Sequence, residues 1–159
     1  MKESLKLGFS FGITSGIITT LGLIVGLDAG TRSELAVIGG ILTIAVADAF
    51  SDSLGMHISQ ESRDHHKPRH VWESMLSTFI AKFIVAMSFA IPFILLDLST
   101  AMIISVAWGL ALLSALSYFI AKIGKKNAWI VIGEHLIIAI VVIIIAYFFG
   151  EWIYATFSP

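Results

Sequence analysis

Asp48 and Asp52 stand four residues apart inside an apolar run that begins near Leu35. On a helix that spacing points both carboxylates the same way. Ser51, Gly55, Met56 and Ser59 continue the polar stripe by three- and four-residue steps. A carboxylate in hydrocarbon costs a few kcal/mol by insertion scales, and more by other measures. Two on one face need an answering partner: a cation, a proton, a buried lysine or water. Lys82, in the next apolar run, is a candidate. Counting inward from the loop between the two runs puts it at a depth between Asp52 and Asp48. Snorkelling to the interface would require a reach of about two turns, so an ion pair with one of the aspartates is the favoured reading. Two acids and one base leave a negative charge suited to a proton or a cation.

Other residues of chemical interest precede and follow this group. Thr14, Ser15, Thr19 and Thr20 lie in the first apolar run, with Thr14 and Ser15 at about the depth of Asp48. Their hydroxyls can also bond their own helix backbone, the commoner use. Gly8, Gly12 and Gly16 repeat every four residues, as do Gly22 and Gly26. Small residues so spaced let helices approach closely in lipid, either within one subunit or across a dimer axis. The segment around residues 56–73 holds His57, Glu61, Asp64, His65, His66, His70 and Glu73. Imidazole and carboxylate are ligands for divalent iron, manganese, cobalt and zinc. No spacing here matches a closed site, so the segment is either a metal-collecting loop or a solvated one. Glu134 and His135 open the last apolar run, as interfacial caps or as part of an ion entrance.

The elements that must position these residues are five apolar stretches. They run roughly Leu7–Leu27, Leu35–Ser59, Val71–Leu96, Ala101–Ile123 and Ala128–Tyr154. Each can cross about 30 Å of hydrocarbon at about 1.5 Å per residue. The chain of 159 residues is 57% hydrophobic and only 13% charged, too few charges to coat a soluble domain of that length. The expectation is an all-α integral membrane protein, one five-helix domain over residues 1–159, with a short loop over 60–70. Pro92 can kink the third helix. The first helix reads as a retained span, since MKESLKLGFSFG lacks a small-residue cleavage site.

Charge sets the expected orientation. Lys2, Lys6, Arg63, Lys67, Arg69, Lys122, Lys125 and Lys126 fall on one side, against Arg32 on the other. That predicts a cytoplasmic N-terminus and an external C-terminus in a multi-pass protein of the cell membrane. Trp72 and Trp129 suit the inner interface, and Trp152 and Tyr154 the outer. The absence of cysteine excludes disulfides and thiolate metal sites. Nothing points to a nucleic-acid partner, and no nucleophile–base pair points to an enzyme.

Two stretches carry a family resemblance. FGITSGIITTLGLIVGL in the first span resembles the first helix of the vacuolar iron transporter family, usually G-x-N-D-G-L-V-S-T-L-G-L-V-x-G. ADAFSDSLGMHISQES resembles that family's acidic-A-L-S-M-x-x-G-E-Y-V-S-x-x-S segment, and IPFIL its proline-containing turn. The chain looks like a short prokaryotic-type member without the large cytoplasmic metal-binding insertion. The resemblance implies a five-helix homodimer whose first helices line the pathway at its axis. It implies export of ferrous iron or manganese from the cytosol in exchange for protons. Several positions depart from the pattern. The family's first-helix Asp falls at Ser15, its second-helix Met at Asp52, and the Glu after its glycine at Met56. Asp48 keeps the acidic position, and Lys82 has no counterpart.

The functional expectation is therefore a proton-coupled divalent metal transporter with no permanently bound cofactor. Asp48 and Asp52 would supply oxygen ligands, Thr14 and Ser15 neutral oxygens, and Met56 a soft ligand at the inner mouth. Oxygen-rich coordination suits manganese or ferrous iron better than copper or zinc. Lys82, with Asp52, would serve as counter-ion or in proton coupling. His57, Glu61, Asp64, His65, His66, His70, Glu134 and His135 would collect the ion on the cytoplasmic side. The alternative is a non-transporting or altered-specificity membrane protein with a structural Asp–Lys network. A carrier of organic solutes is a third class, disfavoured by the expected absence of a broken helix and of an aromatic or Arg cage inside the spans.

Overall fold

A computed structural model describes residues 3–62 and 68–158. Six helices follow in order: α1 Glu3–Thr31, α2 Glu34–Glu61, α3 Pro68–Ser88, α4 Ala90–Leu95, α5 Leu98–Ile123 and α6 Ala128–Phe157. With α3 and α4 counted as one interrupted span, five are long and apolar enough to cross a membrane. The chain is a multi-pass membrane protein.

The helices outrun the apolar stretches because polar residues start and finish them. Pro68 opens α3, where its missing N–H is no loss. Three N-caps are made by side chains: Ser33 accepts the Ala36 N–H at 3.3 Å, Asp97 that of Thr100 at 3.0 Å, and Asn127 that of Trp129 at 3.0 Å. Arg32 and Lys125, with φ of 52° and 53°, reverse the chain after α1 and α5. Gln60, Glu61, Pro68, Arg69 and His70 are helical, so the connection expected over 60–70 is shorter than its sequence suggested. The third span is broken, contrary to the expectation of unbroken helices, so that ground against a solute carrier falls away. Pro92 cannot donate to the Ser88 carbonyl, and the helix breaks at Phe89, whose N–H turns to Ala86 instead (3.1 Å).

α1 is the central rod, packed against α2, α3, α5 and α6. Its glycines decide how closely. A Cβ on Gly8 would collide with the Ser74 carbonyl of α3, and one on Gly12 would lie 2.5 Å from the Thr78 carbonyl oxygen. Gly16 continues that seam along Lys82. Beyond it the stripe turns to α6: Gly22 faces Val142, Gly26 faces Ala146 and Gly30 faces Gly150. Both glycine runs therefore pack within the subunit.

The two halves of the bundle differ in chemistry. Around the second half of α1 the core is oily, with Ile17, Leu21, Ile24, Val37, Ile41, Phe89, Phe93 and Leu113 buried. Around the first half, the buried residues include Ser53, Gln60, Ser74, Thr78 and Lys82. Ser77 of α3 donates to the Leu5 carbonyl (2.9 Å), and the Ser74 hydroxyl shares its one hydrogen between the His70 carbonyl of its own helix (3.0 Å) and that of Ser4 (3.2 Å), stitching α3 to α1. At the other end, Arg32 pairs with Glu151 and lies over the Tyr154 ring, tying the α1–α2 turn to the end of α6.

Candidate functional site

Lys82 lies about 20 Å along its helix from Pro68, at about 1.5 Å per residue, and is 1% exposed. The bare backbone of Gly16 lets its stem run close to α1. Its Nζ sits 2.5 Å from Asp48 Oδ2, 2.5 Å from Asp52 Oδ2 and 2.9 Å from Ser15 Oγ. The Ser15 hydroxyl accepts from the ammonium and donates to Asp52 Oδ2 at 2.5 Å. Asp48 Oδ2 is buried and touches the ammonium, but out of line for a hydrogen bond, so charge attraction holds it. Oxygens from α1 and α2 thus converge on one cationic nitrogen delivered by α3. With both carboxylates ionised, the group carries one net negative charge.

This group is not sealed. The Asp48 and Asp52 side chains remain 26% and 22% exposed. Asp52 also lines a groove of about 480 Å³ between α1 and α2, with Leu7, Phe11, Gly55, Met56 and Ser59 among its walls. Beside it, Gly39, Thr43, Ala47, Ser51, Gly55 and Ser59 form an exposed stripe of small residues along α2 at four-residue steps. A Cβ on Gly39 or Gly55 would meet nothing within 4 Å.

Other expected site residues lie elsewhere. The Thr14 hydroxyl donates to the Ser10 carbonyl at 2.9 Å, within its own helix, and does not belong to the group around Lys82. Met56 is buried and lines the groove below Asp52. The residues expected to collect an ion fall into separate places. His57 approaches Glu61 (3.7 Å) and packs edge-on against Trp72 (4.9 Å between centroids). His70 is exposed at the start of α3. Glu134 and His135 line a different pocket with Glu3, Lys6 and Lys126. Asp64, His65 and His66 lie outside the described residues. Among the described residues no three His, Asp or Glu side chains gather as a metal-binding group.

One contact within the site and one away from it go beyond what the residue pattern indicates. Ser15 was expected only as a metal ligand; it is also the hydrogen-bonded link between Asp52 and Lys82. Away from the site, the Ser117 Oγ lies 2.7 Å from His135 Nδ1. The signal was there: Ser117 and His135 stand about equally far from the turn joining α5 and α6.

Comparison with family models and with curated proteins finds no match to this chain.

Proposed function

We propose that the protein is a divalent cation transporter of the cell membrane, carrying ferrous iron or manganese out of the cytosol in exchange for protons. Asp48 and Asp52 supply the charged ligands, Ser15 a neutral oxygen, and Met56 a soft ligand at the mouth of the groove. The observation that carries this reading is the convergence of Asp48, Asp52 and Ser15 oxygens on one cation-sized position deep in the bundle. That position lies beside a groove from which cargo can approach. Protons and metal ions compete for the same carboxylate oxygens, which supplies a simple basis for exchange. The Lys-rich end, where Lys6 and Lys126 share a pocket, faces the cytoplasm by the distribution of basic residues.

The working unit in this reading is a homodimer. Carboxylates a quarter exposed are poorly placed against acyl chains, and a second copy laid along the small-residue stripe of α2 would cover them. Small residues at four-residue spacing favour such close contact. Membrane lipid and the metal ion are then the remaining partners.

The test is transport by the purified chain in liposomes. Ferrous iron or manganese should be taken up under an imposed pH gradient. Asp48→Asn and Asp52→Asn should each slow uptake by at least about tenfold, the loss expected when a transition-state or site ligand worth about 1.4 kcal/mol is removed. Wild-type rates in both variants would overturn the assignment.

One observation favours a second reading. Lys82 is almost wholly buried and touches both aspartates, as a structural ion network holding α1, α2 and α3 in register would require. Under that reading the same substitutions destabilise the protein, and the wild-type chain carries no metal.

A further inference from the structure

Lys82 occupies the place that the transport reading gives to the cargo. Its ammonium contacts Asp48 Oδ2, Asp52 Oδ2 and Ser15 Oγ at 2.5, 2.5 and 2.9 Å. Hard divalent cations such as magnesium and calcium sit about 2.0–2.6 Å from their oxygens. The same oxygens need move only a fraction of an ångström to hold such an ion, and they cannot hold it while the ammonium is there. We infer that Lys82 is a tethered competitor: its ammonium is the resting occupant of the cation site, and a divalent ion binds as the ammonium withdraws. The inference rests on the cation-transport reading and adds the device that governs access to its site.

Charge and packing support this assignment. With the ammonium in place the two carboxylates retain one negative charge; with it withdrawn they carry two, matched to a divalent ion. The empty site therefore never presents two bare carboxylates to a low-dielectric interior, a costly state. Asp48 Oδ2 is held to the ammonium by charge, without a well-directed hydrogen bond, so no directed bond to it is lost when the ammonium withdraws. The lysine stem is flexible. It packs along Gly16, where even an added Cβ would stand at contact distance, 3.4 Å, from its Cγ. Asp52 lines the groove that reaches the site, so an incoming ion meets a carboxylate before it meets the lysine.

A tethered competitor has a quantitative signature. Apparent affinity equals intrinsic affinity scaled by the fraction of time the site is free, so an ammonium resident nine-tenths of the time weakens binding about tenfold. The experiment is equilibrium binding of Mn²⁺ to the purified full chain at one fixed pH, read from the resonance of free Mn²⁺. Wild type is compared with Lys82→Met, which removes the cation, and Lys82→Arg, which keeps a permanent one. The expected order is Lys82→Met tightest, by about tenfold or more over wild type, and Lys82→Arg weakest. Binding by Lys82→Met no tighter than wild type, or by Lys82→Arg as tight as wild type, overturns the inference and leaves the transport reading standing. If Lys82→Met does not elute as a folded species, the comparison of Lys82→Arg with wild type decides: weaker binding supports the inference and equal binding overturns it. Absence of Mn²⁺ binding in all of the proteins removes the cation site itself, and the inference with it.

Discussion

The Ser117 hydroxyl of α5 lies 2.7 Å from His135 Nδ1 of α6. It also donates to the Leu113 carbonyl at 2.6 Å. A hydroxyl has one hydrogen to give, so toward His135 it accepts. The neutral imidazole therefore carries its proton on Nδ1 and keeps Nε2 as the free acceptor. Nitrogen NMR of labelled protein should report that tautomer, and Ser117→Ala should shift the ring toward the other. An Nε2-protonated ring in the wild-type chain would contradict the geometry.

Glycines on the two sides of α1 and α2 should behave very differently. Gly12→Ala places a methyl 2.5 Å from the Thr78 carbonyl, and backbone must move to admit it. Overpacking of that kind costs about 1–3 kcal/mol. Gly55→Ala meets nothing within 4 Å, and inside a helix that change stabilises by about 0.5–1 kcal/mol. Chemical unfolding of both variants in the same detergent would measure the difference. Equal stabilities would show that the α1–α3 seam is looser than described.

The homodimer proposal predicts a distinct effect at the same exposed stripe. Gly55→Leu and Ala47→Leu should leave the folded subunit intact yet lower the dimer fraction in cross-linking or light-scattering measurements. Their positions are open within one subunit, so any loss of association must come from the surface they add to. An unchanged dimer fraction would place the interface elsewhere.

Removing Lys82 should be costly before any metal is added. Lys82→Met leaves the carboxylates without their nearest cation. Breaking a buried pair in this way costs about 3–5 kcal/mol, and the partial exposure of Asp48 and Asp52 places this case toward the lower end. Asp52→Asn in the Lys82→Met background should recover part of the loss, because the charge left unanswered is halved. Additive losses in that double-mutant cycle would mean the residues are not coupled.

At the start of α5, Asp97 titrates below the ordinary carboxylate range because the Thr100 N–H and the Thr100 side chain bond its charged form. A lowered value in the folded state means that its capping contribution is present above the unfolded value of about 3.9 and is lost as pH falls through the lower folded one. Asp97→Ala should fray the first turn of α5 at neutral pH, seen as faster amide exchange at Thr100 and Ala101. Asp97→Asn, which can still accept the Thr100 N–H, should exchange more like wild type.

The spans were legible because long apolar runs are separated by short charged ones, and the depth of Asp48, Asp52 and Lys82 followed from counting along rods of fixed rise. The helix ends were less legible. Gln60 with Glu61, and Arg69 with His70, are polar enough to read as loop, but backbone hydrogen bonding carries the helices through them. The sides of α1 were not legible at all. Periodicity places Gly8, Gly12 and Gly16 on one stripe without saying that α3 fills it, or that Gly22, Gly26 and Gly30 turn to α6. Thr14 and Ser15 are neighbours of nearly equal chemistry. A rotation of one residue sends one hydroxyl back to its own helix and the other into the ion cluster.

The interlocking of α1 with two neighbours also limits how it can travel. Near Gly8 and Gly12 it is notched into α3, and near Gly26 and Gly30 into α6. A small axial slide would drive a side chain of α1 into the Ser74 or Thr78 carbonyl at the first seam, while at the second it would move α1 across the bare backbone of Gly150, where a Cβ would lie 2.6 Å from the Gly26 carbonyl oxygen. The next register in which glycine again faces the same notch is four residues away, about 6 Å at about 1.5 Å per residue. The rod is therefore detented: it stays put, tilts, or jumps by a whole step.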